Sequence, residues 1–138
     1  MNRRSLLQLA ALIGVGGAAG EGAAAPAPKR KPIVLYCDLA VDPAREGEML
    51  DAFHKRFRPA AESFRGRGFV DLKMNKVRQV IQGGPPLAQG INYRFQLTYE
   101  SEAQRQVWIK SAIHQEVWPL IENTVLNKDY LVLLTDSV

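Results

Sequence analysis

The sequence predicts an α+β domain built in the order β-α-β-β-α-β, and three observations carry that prediction. Four segments show either strict polar/apolar alternation or unbroken aliphatic density, as strands do. Two longer stretches between them place apolar residues at helical spacing. The two central strand-like segments flank a single Gly/Pro-rich loop, the pattern of a long hairpin.

The elements follow in order. Residues 33–41 are rich in aliphatics, carry Tyr36 and stop at Asp42-Pro43. Asp42 suits a helix N-cap and Pro43 the first helical position. The first helix presents Leu50, Phe53, Phe57, Ala60, Ala61 and Phe64 on one face. Pro59 is expected to kink or interrupt it late, and Gly66 and Gly68 to end it. Residues 69–81 alternate, with Val70, Leu72 and Met74 against Asp71, Lys73 and Asn75. Residues 82–90, with Gly83-Gly84-Pro85-Pro86, are a loop. Residues 91–99 alternate again: Ile91, Tyr93, Phe95, Leu97 and Tyr99 on one face, Asn92, Arg94, Gln96 and Thr98 on the other. Ser101-Glu102-Ala103-Gln104 reads as a capping box, opening a second helix that runs to about Trp118. Pro119 begins a further short turn. Residues 129–135 form the last strand, with an unbroken aliphatic run from Leu131 to Leu134.

This order is the ferredoxin-like split β-α-β arrangement, a four-stranded antiparallel sheet with two helices on one face. The other face of such a sheet is ordinarily polar. Here Val34, Ala40 and both faces of the last strand are apolar. The domain has no spare element to cover them, so a second subunit is the simplest cover.

Charge distribution removes a nucleic-acid reading. The chain of 138 residues has a formal net charge of +4, but Arg3, Arg4, Lys29, Arg30 and Lys31 precede the domain. From Pro32 onward thirteen basic residues face thirteen acidic ones. A nucleic-acid binder needs a basic face to displace counterions. The single cysteine, Cys37, excludes an internal disulfide and a cysteine-rich metal site. Inside an apolar strand it reads as a small buried hydrophobe.

The basic N-terminus has its own meaning. Asn2-Arg3-Arg4-Ser5-Leu6-Leu7-Gln8 is a twin-arginine pattern, followed by a glycine-diluted apolar stretch to about Ala19 and small residues suited to cleavage after Gly20 or Ala24. The pattern resembles the bacterial Tat signal, with Leu-Leu where that motif usually carries Phe-Leu. The stretch is too short and glycine-rich for a membrane span, which takes about 20 residues. No cysteine follows it, so no lipid anchor is expected. The expected organisation is a signal peptide over residues 1–25, a linker over 26–31 and one domain over 32–138, exported to the periplasm or secreted. Membrane contact is expected only through the leader.

From Pro32 to Val138 the sequence resembles the dimeric α+β barrel superfamily, and within it the antibiotic-biosynthesis-monooxygenase-like domains. The element order, the two-faced apolar strands and the helix SEAQRQVWIKSAIHQEVWP carry the resemblance: an acidic-small start, then Trp, then His one or two turns on. It implies a homodimer whose two sheets close a barrel, with a pocket between sheet and helices in each subunit. It also implies a cofactor-independent oxygenase or a related proton-transfer enzyme acting on a small aromatic or quinol-type substrate. Haem-degrading members use an Asn, a Trp and a His in one pocket. Trp108 and His114 match two of these types, but Tyr36 and Asp38 stand where the Asn is wanted, so haem degradation is not carried over.

His114 is the candidate base, on the stripe Ala103, Val107, Ser111, His114, Trp118. An imidazole facing a pocket accepts a proton from a phenol or quinol near neutral pH. The anion so made is electron-rich and reacts with O2 without a metal. Trp108, Trp118, Tyr36 and Tyr93 are candidates to shape the pocket, with Tyr99 a further hydroxyl. Arg94 is placed to hold an anionic ligand or a carboxylate such as Asp38 or Asp71. Nothing in the spacing of His54, His114 and Asp38 compels a metal site, and no cofactor is expected. Gly83-Gly84 is a loop lip, not a phosphate cradle, since no lysine follows and no helix begins there. The alternative function is a non-catalytic exported dimer that binds a small apolar ligand or a protein partner.

Overall fold

A computed structural model describes residues 31–83 and 90–138. The twin-arginine leader, most of the linker and the Gly84 end of the hairpin loop lie outside the described residues. Strands β1 (Ile33–Leu39), β2 (Phe69–Lys76), β3 (Tyr93–Tyr99) and β4 (Leu131–Asp136) form one sheet in the order β2-β3-β1-β4. Every neighbouring pair is antiparallel. The helical segments follow β1 and β3, so the chain has the ferredoxin-like arrangement.

Alternation along the strands decides what the sheet buries. Leu35, Cys37 and Leu39 of β1 pair with Leu97, Phe95 and Tyr93 of β3, and all six are buried. Against them pack Met49, Phe53, Phe57, Trp108, Val117 and Ile121 from the helices. Each such side chain stabilises the fold by roughly 1.5–3 kcal/mol. The even residues of β1, Val34, Tyr36 and Asp38, share the opposite face with Thr98, Gln96 and Arg94.

The first helical region departs from the expectation. Asp42 caps it as the sequence indicates, its Oδ1 accepting from Ala44 N at 2.9 Å. A 3-10 turn (Pro43–Arg45) then leads into α1 (Glu46–Ala52), a π turn (Phe53–Phe57) and α2 (Arg58–Glu62). Pro59 does not break the region; it lies in the first turn of α2. The reason is local. Proline lacks an N–H and crowds the carbonyl four residues back. The π turn widens the backbone just before it, with Arg58 N–H donating to Phe53 O, so the strain is absorbed rather than propagated.

The second region also departs. One helix to Trp118 was expected; there are two, α3 (Glu102–Lys110) and α4 (Ala112–Glu122). Ser111 between them is extended, at φ −70° and ψ 152°. Its Oγ donates to Trp108 O at 2.6 Å and accepts from His114 N at 3.2 Å. One hydroxyl thus ends α3 and caps α4. Pro119 lies within α4 and starts no separate turn.

Smaller corrections concern the sheet. β2 ends at Lys76 rather than near 81, because after Val77 N–H reaches Asn92 O the chain leaves the ladder. Ala40 is buried and not outward-facing. Its N–H is taken by Asn127 Oδ1 at 2.8 Å, while Asn92 accepts from Val41 N and donates to Val41 O. These two amide side chains extend the sheet where strand pairing stops.

Gly68 has φ +110°, and a Cβ there would lie 2.4 Å from the Cβ of Gln104 on α3. Gly68→Ala is expected to cost about 1–3 kcal/mol through both the backbone and the clash. Thermal denaturation checks this, with Gly47→Ala as the control, since a Cβ at Gly47 meets nothing within 4 Å. Among the described residues no helix is long and apolar enough to cross a membrane.

The helices leave β4 uncovered. Leu131, Val132, Leu133 and Leu134 are 45–54% exposed. Leu131 and Leu133 stand beside Asp38 and Tyr36 on the outer face, Val132 and Leu134 beside Cys37 and Leu35 on the helix side.

Candidate functional site

A cavity of about 200 Å³ lies between the sheet and the helices. The sheet supplies Leu35, Cys37, Phe95, Leu97, Tyr99 and Val132. The helical layer supplies Phe57, Trp108, Ile109, His114 and Trp118, and the turn before β4 adds Tyr130. Among the described residues no carboxylate, lysine or arginine lines it. A dry cavity of about 150 Å³ already accepts benzene, so this one has room for a substituted aromatic ring.

The break at Ser111 builds the site. It ends α3 just after Trp108 and restarts the helix so that His114 falls in the first turn of α4. The His114 ring stands edge-on to Trp108 at 5.0 Å and lies 6.2 Å from Phe57. Trp118 stacks on Phe95 at 5.9 Å, with an interplanar angle of 18°, and meets Tyr130 edge-on at 6.1 Å. Aromatic pairs of this geometry contribute about 0.5–1.5 kcal/mol each beyond the area they bury.

His114 is the chemically distinctive group. Its Nδ1 is buried and has no hydrogen-bond partner among the described residues. An orphaned buried polar atom costs about 1–3 kcal/mol. Burial, and then the charge of Arg105, push the imidazole below its ordinary range. The positive end of the α4 dipole acts in the same sense. The ring is therefore neutral at pH 7.

The other titratable groups of the cavity behave differently. Burial, then the neighbouring Asp38, push the Cys37 thiol up to about 12. Burial raises the phenols of Tyr99 and Tyr130 as well. None of the three is ionised near neutrality. His114 is the group whose basic form is populated there.

A stability consequence follows from the sign of the His114 shift. In the unfolded chain its imidazole titrates near its ordinary value of about 6.5; in the folded chain it titrates lower. Between the two values the unfolded chain binds a proton and the folded chain does not, so acidification favours unfolding. Stability is expected to fall as pH drops through 6.5, and His114→Gln is expected to remove that part of the decline. Urea midpoints between pH 8 and pH 5 measure it. The contributions of Glu46 and Glu102, whose pKa values are lowered, are lost only in more acidic solution.

Of the seven candidates from sequence, the structure gathers His114, Trp108, Trp118 and Tyr99 around one cavity and places the other three elsewhere. Tyr93 is buried on the helix side of the sheet but does not line the cavity. Its hydroxyl donates to Glu46 Oε2 at 2.5 Å, and Lys76 Nζ lies 2.8 Å from the same oxygen. Burial, then this carboxylate, push the Tyr93 phenol up to about 12. Tyr36 lies on the outer face, with the Arg94 guanidinium 5.7 Å from its ring centre. Arg94 donates to Asp38 through Nε at 2.7 Å and Nη2 at 3.0 Å. That is the structural pairing rather than a free anion site.

The stripe expected to carry His114 is also corrected. Val107 is 62% exposed, because the break at Ser111 resets the helical phase. His54 is exposed beside the Phe53 ring. Among the described residues no three His, Cys, Asp or Glu side chains come together as a metal set. Phe57, Phe95, Cys37 and Tyr130 are lining residues that were not proposed from sequence. Phe57 and Phe95 were legible as members of apolar faces; Tyr130 was read only as part of the last strand.

No protein-family model matches this sequence, and no curated protein matches it. Solved structures share its fold. A dimeric ferredoxin-like protein of unknown function from Jannaschia sp. CCS1 is similar at a TM-score of 0.63 and 14% identity, over 77% of this chain and 99% of that one. A candidate antibiotic biosynthesis monooxygenase from Caulobacter crescentus CB15 is similar at 0.59 and 13%, over 80% and 92%. A second dimeric ferredoxin-like protein of unknown function, from Thermobifida fusca YX, is similar at 0.57 and 10%, over 79% and 93%. At these identities the likeness concerns the fold, and it assigns this chain a ferredoxin-like domain of the kind found in proteins described as dimeric and in proteins described as antibiotic biosynthesis monooxygenases.

Proposed function

We propose that this chain is an exported, homodimeric monooxygenase that oxidises a small, neutral phenol- or quinol-type aromatic with O2, using His114 as the base. The observation that carries the reading is the unpartnered, buried Nδ1 of a neutral imidazole beside an aromatic cavity free of charged side chains. The fold shared with candidate monooxygenases supports it. The twin-arginine N-terminus supports export, and the uncovered aliphatic strand β4 supports a homodimer.

The chemistry needs the base, the substrate and O2. The ring slots among Phe57, Trp108 and Trp118 with its hydroxyl toward His114. His114 takes the hydroxyl proton, which leaves an electron-rich anion in an apolar site. The anion gives electrons to O2, one oxygen atom joins the ring carbon, and loss of water leaves a quinone. For a naphthol the balance is C10H8O plus O2 giving C10H6O2 plus H2O. Ionising the substrate inside the cavity, rather than importing an anion, suits a lining without a cation.

Oxygen uptake by the purified chain with 1-naphthol tests this, with the quinone followed by absorbance. Stoichiometric uptake and quinone formation are expected. Binding of 1-naphthol without oxygen uptake overturns the enzyme and leaves a ligand-binding dimer as the function.

A further inference from the structure

We infer that a second copy of this chain forms the missing wall of the His114 cavity by covering β4, so that the enclosed aromatic site exists only in the dimer. The inference deepens the proposed function and rests on its reading of this cavity as the site. The starting point is Val132. It lines the cavity and is nevertheless 47% exposed, so the wall it belongs to is open to solvent on the β4 side. Its neighbour on the same side, Leu134, is 46% exposed. The helical layer covers β1 and β3 and stops short of this edge.

β4 is also an edge strand. Edge strands of monomeric proteins are guarded by charges, prolines or bulges. This one carries four consecutive aliphatics, the composition of a strand buried on both faces. Its outer-face pair, Leu131 and Leu133, adjoins Asp38 and Tyr36. Asp38 is already neutralised by its two hydrogen bonds from Arg94, so the same patch on another copy meets it without like-charge repulsion. A self-matching apolar patch is what a two-fold interface requires. Two proteins sharing the fold are described as dimeric. The occupant that fits these facts is a second copy.

The chain carries its own reporter. It has two tryptophans, Trp108 and Trp118, and both line the cavity. Acrylamide quenching of their fluorescence reads how open the cavity is, without a ligand and without turnover. In the full chain, light scattering is expected to show a dimer with weak quenching. Leu133→Glu, on the outer face and outside the lining, is expected to give a monomer with an unchanged far-ultraviolet spectrum and quenching several-fold stronger. Dilution of the unaltered chain through its dissociation range is expected to raise quenching in step with the monomer fraction, which keeps the test valid should the variant misfold. Quenching that is the same in monomer and dimer overturns the inference, as does a full chain that is monomeric at every concentration. Oxygen uptake separates the two ideas. Quenching that tracks the dimer without naphthol oxidation keeps the closure and removes the oxygenase. Undiminished oxidation by the monomer keeps the oxygenase and removes the closure.

Discussion

Replacing Phe57 with alanine is expected to cost about 3–5 kcal/mol of stability, the range for deleting a large buried aromatic. The side chain is 1% exposed and stands edge-on to four rings: Phe95 at 5.2 Å, Trp108 at 5.7 Å, Trp118 at 6.0 Å and His114 at 6.2 Å. It therefore joins the sheet to both α3 and α4. Removing it enlarges the cavity already present, so the walls have little to collapse onto, and the cost is expected at the upper part of that range. A domain of this size has about 5–15 kcal/mol in all. The melting temperature is then expected to fall by roughly 15–25 °C. Phe57→Leu, which keeps most of the volume, is expected to cost less than about 2 kcal/mol. Calorimetry on both variants checks the argument. A Phe57→Ala loss under about 1 kcal/mol would show that the ring cluster is not what joins the layers.

The second large effect is catalytic. His114→Gln is expected to lower kcat for 1-naphthol oxidation by about 10²–10⁴-fold, the usual contribution of a positioned general base, while KM moves far less. Glutamine keeps a hydrogen-bonding group near the substrate hydroxyl but takes no proton at neutral pH. The remaining titratable lining residues give no substitute, since Cys37, Tyr99 and Tyr130 all have raised pKa values. The pH profile of kcat/KM is expected to rise through a value below 6.5, because the imidazole must be neutral to act and its titration is shifted down. An acidic limb at or above 6.5, or a variant within tenfold of the parent, would place the base elsewhere.

The order of elements was legible because alternation and helical spacing are local properties, and each was long enough to read. The break at Ser111 was not. Val107, Trp108, Ile109 and Ile113 fit one continuous helical pattern, and a serine within it carries no warning that its hydroxyl will end one helix and cap the next. That miss shifted the phase of everything around it, which is why Val107 looked inward. Parity misled the reading of the tyrosines. Tyr36 pairs across the ladder with Gln96, and Tyr93 with Leu39, so the two stand on opposite faces and cannot shape one pocket. Alternation shows that a strand has two faces; which face meets the helices is decided by the whole sheet. Trp108, His114 and Trp118 were found because large aromatics and a histidine on a helix are conspicuous in themselves. Tyr130 was missed because it reads as the start of the last strand, whereas β4 begins only at Leu131 and Tyr130 closes the turn before it.

The π turn at Phe53–Phe57 holds one residue more than a regular helical turn does. The turn widens to take that surplus in, so Phe57 and the α2 side chains that follow point as they would after four residues of a regular helix. Deleting one residue within the turn is therefore expected to restore a regular helix and leave Phe57 facing the cavity. The same deletion in the regular helix before it would turn every later side chain by about 100°. The π turn is thus the one stretch of this region where chain length can change while the face behind the cavity stays in register.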